Sequence, residues 1–213
     1  MSRVGKGLAR LARLGAAALG AGQGAGQTPH PGARPATRER AMTELRARVS
    51  DPVRLGHALA VEAIMQELAR AAGGDRTEWG LAGLLHDIDL ADTRADPSQH
   101  GVVGARLLAE LGFSEAVVRA VEAHDDAAGR PRTTPIARAL YCADRAYWAV
   151  HSSGLRFPSP EASSATPASV VEGLECRGAT DRIDVKLVEA CGSLGLTLED
   201  VLRLCLQALR NLQ

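Results

Sequence analysis

From residue 52 onward the sequence repeats one pattern: a capping residue, apolar positions every three or four residues, then a glycine or a polar break. The segment "PVRLGHALAVEAIMQELARAAGG" places Val53, Leu59 or Ala60, Ile64 and Leu68 on one helical face, and Gly73-Gly74 closes it. "DRTEWGLAGLLHDIDLAD" follows, with Asp75 or Thr77 as its cap, and "PSQHGVVGARLLAELG" has Ser98 as cap and stops at Gly112. "SEAVVRAVEAHDD" opens on Ser114, and "TTPIARALYCADRAYWAVHSSG" carries Pro135 in its first turn. Further helices are predicted over about residues 169–176, 181–194 and 197–212, the last opened by Thr197. No stretch shows the alternation of a half-buried strand, so the expected fold is all-α, a compact helical bundle.

The ends and the breaks differ in composition. Residues 1–41 pass from Arg3, Lys6, Arg10 and Arg13 through "LGAAALGAG" into Gly, Gln and Pro. That Ala/Gly run is too weak for a signal-peptide core and too short for a membrane span. It reads as a disordered tail or a start codon assigned too early, with Met42 opening the folded part, and His30 within it is given no role. The expected layout is a helical core over 42–151, a flexible Ser/Pro/Ala-rich loop over 152–168, and C-terminal helices over 169–213 packing on the core.

Across 213 residues, 25 basic side chains balance 25 acidic ones, so no net field draws the chain to nucleic acid or to a membrane. Cys142, Cys176, Cys191 and Cys205 are widely spaced with no CxxC pair. They indicate neither a zinc ribbon nor a disulfide framework but reduced, mostly buried thiols in a cytoplasmic protein.

The stretch "GLLHDIDLAD", residues 83–92, runs an apolar helix straight into His86-Asp87. Burying an imidazole beside a carboxylate is costly unless something charged or hydrogen-bonding compensates them. His57 stands near the start of the first helix, His100 at the start of the third, His124 at the end of the fourth and Asp144 in the middle of the fifth. Any one of these has an ordinary explanation: a histidine at a helix end is commonly a cap or a dipole partner, and Asp144 has Arg145 and Arg138 to pair with. Together, one per helix, they are the arrangement from which bundles assemble metal sites, and imidazole with carboxylate suits Zn, Fe, Mn, Co or Ni rather than a thiolate-selected metal. His151, near the end of the fifth helix, reads as a surface residue.

The order His57, His86-Asp87, His100, His124, Asp144, carried on "HALAVEAIMQELA", "LAGLLHDID", "HGVVGARLL", "VEAHDD" and "ALYCADRA", resembles the HD superfamily of metal-dependent phosphohydrolases. It is most similar to the small, stand-alone bacterial proteins of the HDIG type. The resemblance covers about residues 52–150, and the C-terminal segment from "ECRGATD" onward is similar to the tail of those proteins. It implies an HD-type bundle in which His57, His86, Asp87 and Asp144 bind one divalent metal. His100 and His124 match the places of a second, with Asp87 bridging. The implied reaction is hydrolysis of a phosphomonoester, phosphodiester or pyrophosphate bond in a small phosphorylated, nucleotide-like substrate by a metal-activated water, with His86 and Asp87 assigned to the chemistry. Asp89, two residues after Asp87, is a third catalytic candidate read from its position. One or two ions are implied; Mn, Fe, Zn, Mg, Co and Ni are not distinguished.

The chain departs from that pattern in one place. Where HDIG relatives continue with Gly and a nearby Lys, this sequence reads "HDIDL", with Asp89 at the Gly position and its only lysines at Lys6 and Lys186. Arg94, Arg106, Arg130 and Arg132 are the cations available to a phosphate. Asp92 would lie about 140° from Asp87 on a continuous helix, so it or Asp89 reaches the site only if the helix breaks. Trp79, Tyr141, Tyr147 and Trp148 are the rings available for stacking a base. Two other readings compete: an HD-fold signalling or scaffold module without catalysis, and a metal that serves only as a folding staple.

Overall fold

The computed structural model describes residues 37–212, and among them it is helical without a strand. The helices are α1 Arg38–Arg48, α2 Pro52–Ala72, α3 Arg76–Leu85, α4 Val102–Glu110, α5 Glu115–Glu122, α6 Pro135–Ser152, α7 Pro160–Ser164, α8 Pro167–Arg177, α9 Val185–Ser193 and α10 Leu198–Asn211, with single 3-10 turns at Pro97–Gln99 and Thr180–Arg182. None of the described helices is long and apolar enough to cross a membrane.

Local chemistry accounts for most of the boundaries. Asp51 accepts from the Val53 amide with Pro52 in the first turn, and Gly73, at φ 76°, ends α2 in the left-handed conformation that glycine adopts freely. Asp75, Ser114, Thr134 and Thr197 cap α3, α5, α6 and α10 through their side chains. α2 and α6 form the spine: α2 packs on α3, α6 and α10, and α6 also meets α5, α9 and α10. Ile64, Met65, Leu68, Leu84, Leu85, Leu108, Leu140 and Leu187 are all fully buried in the single apolar core. α2 comes down on α3 at Gly83, where a Cβ would lie 2.8 Å from the Val61 carbonyl oxygen and 2.9 Å from the Glu62 nitrogen.

The expected layout needs four corrections. The first described helix starts at Arg38, capped by Thr37, inside the tail expected over residues 1–41 and ahead of Met42, while residues 1–36 lie outside the described residues. The segment 152–168 is not one flexible loop. α6 runs to Ser152, and Ser159-Pro160 and Thr166-Pro167 are helix starts, a Ser or Thr cap followed by Pro at the first position, that open α7 and α8. Arg210 of α10 donates to the carbonyls of Ala162 and Ala165 and ties this segment down. Ser98 does not cap the third helix: Asp96 caps a 3-10 turn there, and α4 begins after Gly101. The helix expected over 181–194 is interrupted, because Asp184 caps a fresh start at Val185.

The α2–α3 contact makes a direct stability prediction. Gly83→Ala forces a methyl group into the α2 backbone and should cost about 1–3 kcal/mol in urea unfolding. Gly56→Ala, in an exposed stretch of α2 where a Cβ meets nothing within 4 Å, should be neutral or stabilise by up to about 1 kcal/mol.

Candidate metal centre

The break that answers the opening of the HD stretch comes immediately after Leu85. α3 ends there with Leu84 and Leu85 fully buried, and residues 86–95 proceed as a chain of turns, with Ile88, Leu90 and Asp92 amides bonding to carbonyls three residues back. His86 is the cap residue. Its Nδ1 lies 2.8 Å from the Gly83 carbonyl, one of the acceptors a helix end leaves free. A carbonyl oxygen only accepts, so Nδ1 carries the proton and Nε2 is directed away from the helix. The end of α5 uses the same device: His124 Nδ1 donates to the Val121 carbonyl at 2.7 Å. His100 Nδ1 donates to Asp89 Oδ1 at 2.9 Å. His57, from the second turn of α2, has no hydrogen-bond partner at Nδ1. The rings of Tyr147 and Trp148 hold it instead, at centroid distances of 4.5 and 5.2 Å.

These anchors aim four Nε2 atoms at one volume. His57 Nε2 is 3.1 Å from His86 Nε2, and His100 Nε2 is 3.1 Å from His124 Nε2. Asp87 lies among them, with Oδ1 3.1 Å from His100, 3.4 Å from His86 and 3.6 Å from His124, and Oδ2 3.7 Å from His57. Asp144 of α6 closes the other side, its Oδ1 3.1 Å from His57 Nε2 and 3.8 Å from His86 Nε2. Asp144 therefore turns to the imidazoles rather than to Arg145 or Arg138, which bond to Asp126 and to the Arg132 carbonyl. All six candidate metal ligands from the sequence thus meet in one place. The side chains of His86 and His124 are almost wholly buried, whereas Asp87 and Asp144 keep 21% and 22% exposure, so the cluster opens to solvent on its carboxylate side.

The arrangement demands positive charge. With both Nδ1 protons of His100 and His124 already committed, their facing Nε2 atoms are two lone pairs at 3.1 Å unless a cation or an added proton lies between them. Asp144 Oδ1 is buried without a hydrogen-bond partner. Burial opposes charging His86 and His100, yet Asp87 with Asp144 and the Gly83 carbonyl outweighs it for His86, and Asp87 with Asp89 outweighs it for His100, lifting them to about 9 and about 10. Burial likewise disfavours the charged forms of Asp87 and Asp144, but the surrounding histidines hold both below the usual carboxylate range, Asp87 well below it. A field that draws protons so strongly draws a metal ion too. Two overlapping donor sets, His57 with His86 and Asp144, and His86 with Asp87 and His124, have their ligand atoms within 4.8 Å of one another. That spacing fits ligands around an ion at bond lengths of about 2.0–2.2 Å. No cysteine joins them: Cys142, Cys191 and Cys205 are buried in the core and Cys176 is exposed.

Asp89, expected among the residues doing chemistry, stands behind the cluster. Its Oδ1 accepts from His100 and its Oδ2 accepts from the Gly101 and Gly104 amides at 2.9 and 2.7 Å, leaving the residue 1% exposed. It orients His100 and seats the N-terminus of α4, the position a helix dipole favours for a carboxylate. Gly101, at φ 77°, permits the approach; a Cβ there would lie 2.7 Å from the Val121 carbonyl oxygen. Asp92 is exposed. Among the arginines, Arg132 is engaged by Asp126 and lies 3.8 Å over the Tyr141 ring, Arg130 pairs with Glu122, and Arg94 and Arg106 are exposed. The sequence reading missed Asp126, two residues beyond His124, which gathers Arg132, Arg145 and Lys186 on one carboxylate. The second Asp of "HDD" was its only local signal. Trp79 and Tyr141 are core residues.

Asp89→Ala leaves three buried donors without an acceptor, at about 1–3 kcal/mol each, so a loss of several kcal/mol is expected in urea unfolding. Asp92→Ala should stay within about 0.5 kcal/mol of the parent.

Comparison with known proteins agrees with this geometry. The HD domain family matches residues 54–148. Over 79 residues the chain is 34% identical to Ribonuclease Y of Lawsonia intracellularis, covering 37% of this chain and 15% of that protein. Over 91 residues it is 40% identical to the uncharacterized protein MJ0778 of Methanocaldococcus jannaschii, covering 40% of this chain and 52% of that one. The chain thus spans about half, or much less, of the length of these relatives. No solved structure matches it significantly. The family match runs from α2 to α6, the segment whose histidines and aspartates converge in space, and it identifies residues 54–148 as an HD domain.

Proposed function

We propose that the chain is a metal-dependent phosphohydrolase acting on an ester or anhydride bond of a small phosphorylated substrate. The observation that carries this reading is Asp87, whose two oxygens stand between the His57–His86 side and the His100–His124 side of one cluster. His57, His86, Asp87 and Asp144 would hold one divalent ion, and His100 and His124, sharing Asp87, a second. A divalent ion bound there lowers the proton affinity of a coordinated water and neutralises charge developing on phosphoryl oxygens.

The protein's own part is orientation and access. His86 and His124 are set by carbonyls of their own helices, and His100 by Asp89, so each ring presents Nε2 without a conformational search. Asp87 and Asp144 line the open side, where a phosphoryl group would enter. A relative named as a ribonuclease supports a phosphodiester among the bonds cleaved. Four free thiols, three of them buried, fit a cytoplasmic protein.

The test pairs elemental analysis of protein purified without added metal with hydrolysis of an aryl phosphate and a bis-aryl phosphodiester, with and without Mn²⁺. About one or two equivalents of metal are expected in the parent, lost in Asp87→Ala together with a fall in rate of about 10³-fold or more. Chelation should leave a folded, inactive protein by circular dichroism. A chain that takes up no metal is a binding module, and one that unfolds on chelation holds its metal as a staple.

A further inference from the structure

Beside the metal centre stands a second cluster, of opposite charge. Asp126, two residues beyond His124, accepts at Oδ1 from Arg132 at 2.5 Å, and at Oδ2 from Arg145 of α6 and Lys186 of α9, each at 3.2 Å. Because Arg145 and Lys186 share one oxygen, their nitrogens stand no more than twice that distance apart. Arg145 follows Asp144 in the chain, and the Asp144 carboxylate is among the charges that act on its guanidinium. The cations therefore border the metal centre without sharing a residue with it.

This second cluster holds more hydrogen-bond donors than acceptors. Tyr141, one turn before Arg145 on α6, is 2% exposed, and its hydroxyl has no partner. The guanidinium carbons of Arg132 and Arg145 lie 3.8 and 5.1 Å from its ring centre. The charges that act on the hydroxyl are those of Arg145, Asp126, Asp184 and Arg132, so it is turned among them. Arg132 Nε is also buried without an acceptor, while Arg145 and Lys186 each give one bond to Asp126 and keep further N–H groups to donate. Asp184, the second acid within reach, spends Oδ1 on the Leu187 amide as the cap of α9. Three cations thus face two carboxylates, and two buried donors lack an acceptor. Buried polar groups without a partner mark a missing one. A water molecule would satisfy the donors but leave the excess charge; an anion answers both.

We propose that Arg132, Tyr141, Arg145 and Lys186 form a binding site for an oxyanion, a phosphate or sulfate group, separate from the histidine–aspartate cluster. The forked guanidinium groups of two arginines match an acceptor with several oxygens rather than a spherical halide. Entry is from the Lys186 side: that side chain is 62% exposed, Asp126 32% and Arg145 29%, against 18% for Arg132. Arg132 is fixed at the inner end by Arg138, whose Nε donates to its carbonyl at 3.0 Å. The oxyanion arrives either free or on the substrate, as a second anionic group beside the one hydrolysed. The substrate source rests on the phosphohydrolase reading; the site itself does not.

The test titrates sodium sulfate into the full chain as purified, with calorimetry and thermal unfolding as readouts and sodium chloride at matched ionic strength as the reference. Saturable sulfate binding and a rise in Tm are expected in the parent. Lys186→Ala, at an exposed position, should weaken that binding at least tenfold while its metal content equals the parent's. Tyr141→Phe removes only the unmet hydroxyl, so without sulfate it should unfold at the parent's temperature or above, and with sulfate it should gain less. A tyrosine that served packing alone would show no such change in the sulfate response. No saturable binding in the parent would overturn the site, and so would binding that both variants retain, which would assign the sulfate to protonated imidazoles of the metal cluster. An equal response to chloride would overturn the choice of an oxyanion. The source is read from turnover with Mn²⁺ present. A kcat/KM for 1,3-propanediol bisphosphate at least tenfold above that for propyl phosphate, with the difference lost through KM in Lys186→Ala, places the oxyanion on the substrate. Equal turnover of the two, alongside sulfate binding, places a free oxyanion at the site. Sulfate binding without hydrolysis of any phosphoester would leave the site standing and remove the phosphohydrolase reading.

Discussion

Everything in this structure is arranged around a concentration of unshared electron pairs. Four imidazole nitrogens and the oxygens of Asp87 and Asp144 converge within hydrogen-bonding distance of one another without enough protons to satisfy them. Such a cluster is unstable on its own terms, since its imidazoles are buried and its carboxylates keep only part of their exposure to water. It persists because helices with fully buried apolar faces hold it: Leu84 and Leu85 fix the end of α3, Val121 the end of α5, and the α2–α6 spine brings His57 opposite Asp144. The core supplies the stability, and the cluster uses it to keep an electrostatic demand that only a cation or extra protons can meet.

Support for the ligands is uneven. Three histidines have their second nitrogen tied to an acceptor, two of those acceptors being carbonyls of their own helices and the third the buried carboxylate of Asp89. His57 is steadied by ring contacts alone. It is therefore the member of the cluster whose orientation depends most on what lies against Tyr147 and Trp148.

Much of this was legible in the sequence. Caps such as Asp51, Asp75, Ser114, Thr134 and Thr197 are local signals, and local signals locate helices well. The six residues of the cluster were legible because each helix contributed one polar position, or the adjacent pair His86-Asp87, against an apolar background. What escaped was set by distant residues. The break at His86 that turns Asp89 inward depends on amides at Gly101 and Gly104, and Lys186 meets Asp126 sixty residues away. The Ser/Pro-rich stretch misled for another reason: Ser-Pro and Thr-Pro look like loop chemistry by composition, yet they are also how α7 and α8 begin.

Gly83 joins the scaffold to the chemistry. Its bare Cα lets α2 settle against α3 beside Val61, one turn beyond His57, and its carbonyl holds the ring of His86. One residue thus acts as the gauge block between two ligands on different helices, setting both how far apart their backbones stand and how one of the rings is turned. The spacing of the two rings is therefore written into helix packing, so that substitutions which touch neither ring can still change it.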